Sequence, residues 1–373
     1  MKKCLFFILA LALMLGTAHA ADTIKIGLSG PMTGSWASEG AEAKQVVELL
    51  AEQINAKGGI NGQKIEVVTE DDAGDPRTAA LAAQRLSNQG VVGVIGTYGS
   101  AVTEATQNIF DEAKIIQVAY GSTAIRLTEK GLKFFFRTCP RDDEQANVAA
   151  KSIEKAGYKK VAFLHDNSSY AKGLADETRA IIEKNKDIKI VFNDALTPNE
   201  QDYTAILTKL KETNPDVVFF TGYYKEAGLL LRQKKEMNWN VPFMGGDATN
   251  NPDLVKTAGN EAAKGFYFIS ALLPKDLPTE EAKAFLATFT KKYGNAPSSI
   301  YAVLAGDGLR VVAEAIDKTK STDSAKVADY LHKDLKDFAG LTGKISFNDK
   351  GDRVGEVYRL YQVNEKGEFV LQP

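Results

Sequence analysis

Two short loops carry the residue types best suited to holding a small charged molecule. The first, Gly96-Thr97-Tyr98-Gly99-Ser100, lies between an apolar run ending at Ile95 and a helical pattern. Its glycines allow close backbone approach. Ser100 stands where the helix begins, and free amides and partial positive charge there suit a carboxylate or phosphate. Ser100 can equally be a plain N-cap. The second loop, Ala119-Tyr120-Gly121-Ser122-Thr123-Ala124, ends the next apolar run and adds the hydroxyls of Ser122 and Thr123. Thr123 can donate and accept, so it can serve both halves of a zwitterion. Farther along, Gly245-Gly246-Asp247 places a carboxylate just past another apolar run, where it either meets an ammonium group or caps the next turn. Tyr170, Tyr223 and Tyr224 also lie just past such runs and offer flat walls with a polar tip.

Constellations for catalysis are scarce. Of the three histidines, only His165 and His332 lie beyond the N-terminal segment, and no His/Cys spacing suits a metal. There is no G-x-S-x-G elbow and no G-x-x-x-x-G-K-[ST] loop. Gly27-Leu28-Ser29-Gly30 has the wrong spacing for a dinucleotide fingerprint, and Pro31 interrupts it. The sequence therefore points to binding rather than to an enzyme, with no cofactor. Basic and acidic residues are interspersed at a formal charge of -2, which excludes nucleic acid and anionic membranes as expected partners.

The elements that position these loops alternate. Ile24 to Ser29, Lys64 to Thr69, Val91 to Ile95 and Ile115 to Val118 read as buried strands, with helices from Ala43 to Ala56 and near Ala101 to Glu112 between them. Asp75-Pro76 supplies an N-cap followed by proline at the first helical position. After Pro140 the pattern restarts. Strands are expected at Val161 to His165, Ile188 to Asn193, Val217 to Thr221 and Val241 to Gly245, with helices from about Asp143, Leu174, Tyr203 and Glu226. Such alternation implies parallel sheets covered by helices, and the length implies two domains. Ligands of such sheets sit beyond the carboxyl ends of the strands, where the loops above lie.

The first residues read as an address. Lys2 and Lys3 precede an apolar run from Leu5 to Leu15, and Ala18-His19-Ala20 suits a signal peptidase. The run is shorter than the roughly twenty residues that span a bilayer. Cleavage after Ala20 would leave Cys139 as the one cysteine, with no internal disulfide, in a protein outside the cytoplasm.

From Ile24 onward the chain resembles the periplasmic leucine/isoleucine/valine-binding proteins of ABC transporters. The resemblance rests on Gln53-Ile54-Asn55-Ala56-Lys57-Gly58-Gly59-Ile60, Asp71-Asp72-Ala73-Gly74-Asp75-Pro76, Val94-Ile95-Gly96, His165-Asp166 with Tyr170, and Phe243-Met244-Gly245. It implies an α/β fold of two Rossmann-like lobes joined by three crossover strands, the type I periplasmic binding fold. Residues 1–20 are then a signal peptide, 21–140 and 272–348 form lobe 1, and 141–271 and 349–373 form lobe 2. The function implied is capture of a free amino acid by hinge closure and delivery to a membrane permease, by a periplasmic monomer. A ligand sensor of the same fold is the alternative. By the same resemblance Ser100 and Thr123 hold the ligand carboxylate, and the Gly121 carbonyl and Asp247 hold its ammonium. Tyr223 covers the ligand backbone, and Tyr170 and Tyr301 line the side-chain pocket. Glu39 stands where relatives place an aromatic over the ligand side chain, and Tyr98 replaces a leucine there. Gly74 and Gly99 replace two disulfide-linked cysteines. These departures imply a smaller or more polar ligand than leucine.

Overall fold

In the computed structural model, residues 23–355 and 357–373 are described. The expected signal peptide and Cys4 lie outside them. Two sheets organise the chain. The first has five parallel strands in the order β2-β1-β3-β4-β5. They are β1 (Ile24–Gly30), β2 (Ile65–Asp71), β3 (Gly93–Ile95), β4 (Ile116–Ala119) and β5 (Phe135–Arg137). The helices between them are α1 (Ala37–Ala56), α2 (Pro76–Ser87), α3 (Ser100–Glu112) and the short α4 (Arg126–Glu129). Val46, Val47 and Leu50 of α1 are buried, which is the apolar stripe expected of a helix lying on a sheet. At the start of α2, Asp75 accepts from the Thr78 amide at 2.9 Å, with Pro76 behind it, as the sequence implies.

The second sheet begins with β6 (Lys160–His165), β7 (Lys189–Ala195), β8 (Val217–Thr221), β9 (Phe243–Gly245) and β10 (Tyr267–Ala271). Its helices are α5 (Asp142–Lys155), α6 (Ser169–Ile182), α7 (Thr204–Glu212), α8 (Tyr224–Glu236), α9 (Asp253–Ala258) and α10 (Asn260–Ala263). The chain then returns to the first lobe with α11 (Glu280–Tyr293), α12 (Ile300–Thr319), α13 (Ser324–Lys333) and the hairpin of β11 (Phe338–Gly340) and β12 (Gly343–Ile345). Finally β13 (Tyr358–Val363) and β14 (Phe369–Leu371) complete the second sheet as antiparallel strands with β14 at the edge, in the order β14-β13-β10-β9-β8-β6-β7.

The chain therefore passes between the lobes three times, but the third passage falls later than 349. Gly351 accepts from the Arg137 amide, and Asp352 takes the Arg137 guanidinium at 2.6 Å, so both stay beside β5. The second passage is late as well. Leu273 and Asp276 are tied to the Tyr361 hydroxyl of β13 at 3.0 and 2.9 Å, so they remain with the second sheet. Helix α1 starts six residues before Ala43, which brings Glu39 into its first turn. That start was illegible because Ala37-Ser38-Glu39-Gly40 shows no apolar stripe.

Candidate functional site

The site lies where the carboxyl ends of β3 and β4 face those of β8 and β9. From lobe 1, Gly99 precedes α3 with φ 91°, a left-handed turn that glycine adopts freely. Ser100 then opens α3, whose first amides a helix leaves without internal partners. The Ser100 hydroxyl accepts from the Ala124 amide at 3.1 Å and keeps its own proton to donate. Arg137, fully buried, donates to the carbonyls of Ser122 at 3.1 Å and Ala124 at 2.9 Å. It thereby fixes the turn that carries Thr123. The Arg137 partner is Asp352: burial pushes that carboxyl up, but Arg137 and Arg141 outweigh it and hold it below its ordinary value.

Lobe 2 answers with acid and phenols. Asp247, just beyond β9 and 2 % exposed, accepts from Tyr170 at 2.8 Å and from Tyr358 at 2.9 Å. Its amide donates to Gln145 Oε1 at 2.7 Å. Burial pushes the Asp247 carboxyl up, while bonds from Tyr170, Tyr301 and Tyr358 pull it down. Asp142, at the start of α5, is buried too and accepts from Gln145 Nε2 at 3.1 Å. Burial and the neighbouring Asp247 raise its carboxyl well above the ordinary range. Asp247 keeps the negative charge while the neighbouring Asp142 is held towards its protonated form, and a cation entering between them would favour ionisation of both.

Aromatic rings close the space above. Trp36 stacks on Tyr223 across the cleft, with centroids 4.1 Å apart. Tyr98 meets Trp36, Tyr223 and Tyr301 edge-on at 5.5, 6.0 and 5.1 Å. Trp36 fits because two glycines leave it room. A Cβ on Gly74 would lie 2.6 Å from its Cε3, and one on Gly99 would lie 3.0 Å from its Cζ3.

The expected residues fall into two groups. Ser100, Thr123, Tyr223, Tyr98, Tyr301 and Asp247 converge on this cleft, and Gly99 frames it. Tyr170 is there as well, but its hydroxyl is committed to Asp247 instead of lining a side-chain pocket. Gly121 forms the floor under Tyr98, and its carbonyl already accepts from the Gly99 amide at 2.9 Å. Ser122 turns inward: its hydroxyl donates to the Thr97 carbonyl at 3.0 Å and accepts from Thr103 at 2.7 Å. Both carboxylate oxygens of Glu39 are taken up by protein donors. It accepts from Ser299 at 2.5 Å and from Asn251 of the other lobe at 2.7 Å, and the aromatic in this region is Trp36. Burial raises the Glu39 carboxyl to about 7 against those two bonds. Sequence reading missed Trp36, Asp142, Gln145, Asn251 and Tyr358. Trp36 carried a legible signal, a tryptophan in the glycine-flanked loop after the first strand. Asn251 and Tyr358 are defined only by partners remote in sequence, and Asp142 and Gln145, which bond each other, reach the site only through Asp247 and Tyr358. His165 is structural, its Nδ1 accepting from the Asn167 amide at 3.0 Å.

A family model described as "Periplasmic binding protein" matches residues 23–368. The chain belongs to this family. A leucine-, isoleucine-, valine-, threonine- and alanine-binding protein of Pseudomonas aeruginosa is 34 % identical over 359 residues, which cover 96 % of this chain and 94 % of the relative. The Leu/Ile/Val-binding protein BraC3 of Rhizobium johnstonii is 35 % identical over 346 residues, covering 92 % of each. Among solved structures, the branched-chain amino acid transporter substrate-binding protein LivJ of Streptococcus pneumoniae, in complex with isoleucine, superposes with a TM-score of 0.86. That match has 33 % identity and covers 94 % of this chain and 99 % of the other. The two-lobed α/β architecture is that of the family, whose members are substrate-binding proteins of transport and not enzymes. Among the described residues no acid, histidine and cysteine cluster suits a metal ion, and no helix is long and apolar enough to cross a membrane.

Proposed function

We propose that this chain is the periplasmic receptor of an ABC transporter. It is exported by a signal peptide cleaved after Ala20 and captures a free amino acid as a monomer. Its lobes close on the ligand by hinge motion and deliver it to the membrane permease. Leucine, isoleucine and valine, named for the relatives, set the chemical class, an α-amino acid with an uncharged side chain.

The observation that carries this reading is the polarity of the cleft. The α3 N-terminus with Ser100 and Thr123 offers neutral donors on one wall, and Asp247 offers a buried carboxylate on the other. A zwitterion fits between them with its carboxylate on the first wall and its ammonium on the second, so one ligand binds both lobes and favours closure. A thermal-shift screen of the twenty amino acids, with GABA and betaines added, tests the reading. Ligands in the tight class raise the melting temperature by mass action, an effect of about 2.7 kcal/mol at a hundredfold excess over Kd. If no amino acid moves the transition, the reading is wrong.

A further inference from the structure

The buried polar groups of the cleft are mostly committed to one another. Asp247 is ringed by phenols, Glu39 is satisfied by Ser299 and Asn251, and Ser122 bonds within its own lobe. The hydroxyl of Tyr98 is not so committed, a state it shares with the Tyr120 hydroxyl, Asp142 Oδ2 and Asn250 Oδ1. Tyr98 is 1 % exposed, and no described group lies within hydrogen-bond reach of its oxygen. A phenol buried without a partner is costly, so such groups are normally paired when the protein is at work.

The placement of this hydroxyl says what would pair it. The ring lies over Gly121, where a Cβ would come within 2.4 Å of Tyr98 Cδ2. Its edges meet Trp36 and Tyr301 of lobe 1 and Tyr223 of lobe 2. The groups whose charge it feels, Glu39, Tyr223, Tyr224 and Asp247, all face the space between the lobes. The ring is therefore packed between the two lobes, among Trp36 and Tyr301 of one and Tyr223 of the other. The surrounding rings are in direct contact with one another, so an entering side chain has to be short.

We propose that Tyr98 is a specificity-determining residue that selects a short, hydroxyl-bearing amino acid, the threonine and serine class, by hydrogen-bonding the ligand's side-chain oxygen. The proposal rests on amino-acid capture as proposed above and adds the group that discriminates among amino acids. An aliphatic side chain of equal size leaves the phenol unpaired, and sites built to bond a hydroxyl reject analogues lacking it.

Threonine and valine share a shape and differ in that hydroxyl, so they isolate the effect. Calorimetry with L-threonine, L-valine, L-serine and L-alanine on wild type and Tyr98→Phe tests it. Wild type is expected to prefer threonine over valine, and serine over alanine, by about tenfold. Tyr98→Phe, which removes one oxygen and keeps the ring, should erase or reverse both preferences. Its melting temperature without ligand should stay at or above that of wild type. Valine binding wild type as tightly as threonine, or a threonine-to-valine ratio unchanged in Tyr98→Phe, would overturn the proposal while leaving amino-acid capture standing. Failure of every amino acid to bind wild type overturns both.

Discussion

On the wall contributed by lobe 1 the polar groups proposed to meet a ligand are neutral: Ser100, Thr123 and the first turn of α3. On the wall contributed by lobe 2 they gather around the carboxylate of Asp247, with Asp142 beneath it. The supporting shells differ in the same sense. Behind the first wall stands a buried cation, Arg137, which holds the carbonyls on either side of Thr123. Behind the second stand phenols and an amide: Tyr170, Tyr358 and Gln145. A fixed dipole thus runs across the cleft, assembled from two separate lobes. Neither wall alone favours a zwitterion over a simple ion. On the function proposed above, selectivity for an amino acid would arise only with both walls in contact with the ligand.

Breaking the acidic wall should have the largest effect. Asp247→Asn removes the charge and keeps the shape, and calorimetry should show ligand affinity falling by at least about 100-fold, the scale for losing one partner of a buried charge pair. The same variant should not melt below wild type when no ligand is present, because burial raises the Asp247 carboxyl and neutralising it relieves that cost at neutral pH. Normal binding by Asp247→Asn would reduce this residue to a structural role.

The neutral wall should be more forgiving. Thr123→Ala loses one bond to a charged group and should weaken binding by about tenfold, and Ser100→Ala by a similar factor. Thr123→Ser restores the hydroxyl and should recover most of the loss. Unchanged affinity in both alanine variants would mean that the α3 amides hold the carboxylate without help.

Glu39 sharpens the comparison from outside the dipole. It is as deeply buried as Asp247, yet its carboxylate bridges the lobes through Asn251. Its carboxyl rises from 4.5 to about 7, first through burial, against bonds from Ser299 and Asn251. A raised folded-state value means that Glu39 costs no stability below about pH 4.5 and that its penalty grows as pH climbs through about 7. Glu39→Gln can keep both bonds through its amide, so it should change ligand affinity by less than about twofold. Its stability should match wild type at or below about pH 4.5 and exceed it near pH 8, by an amount on the order of 2–3 kcal/mol. Parallel pH profiles for the two proteins would show that Glu39 is solvated.

Local signals determined a good part of this. Apolar runs of strand length separated by capped helices gave the alternating α/β order, because burial on both faces of a parallel sheet demands continuous apolar strands. The loops with Ser100 and Thr123, and the carboxylate after Phe243-Met244-Gly245, were legible because they sit at strand ends, where backbone chemistry limits the residue types. The antiparallel strands β13 and β14 carried no such signal, and exposed residues such as Val370 of β14 dilute the pattern. Tertiary structure alone decided the rest. Glu39 reads as a ligand contact until Asn251, more than two hundred residues later, is brought against it. Trp36 reads as a loop tryptophan until Gly74 and Gly99 are seen to leave the slot it fills. Arg137 shows no function until Asp352 returns beside β5. Spacing along a chain records which groups share a helix face or a strand edge. Which buried charge meets which partner depends on how two separately folded lobes face each other, and no local pattern encodes that.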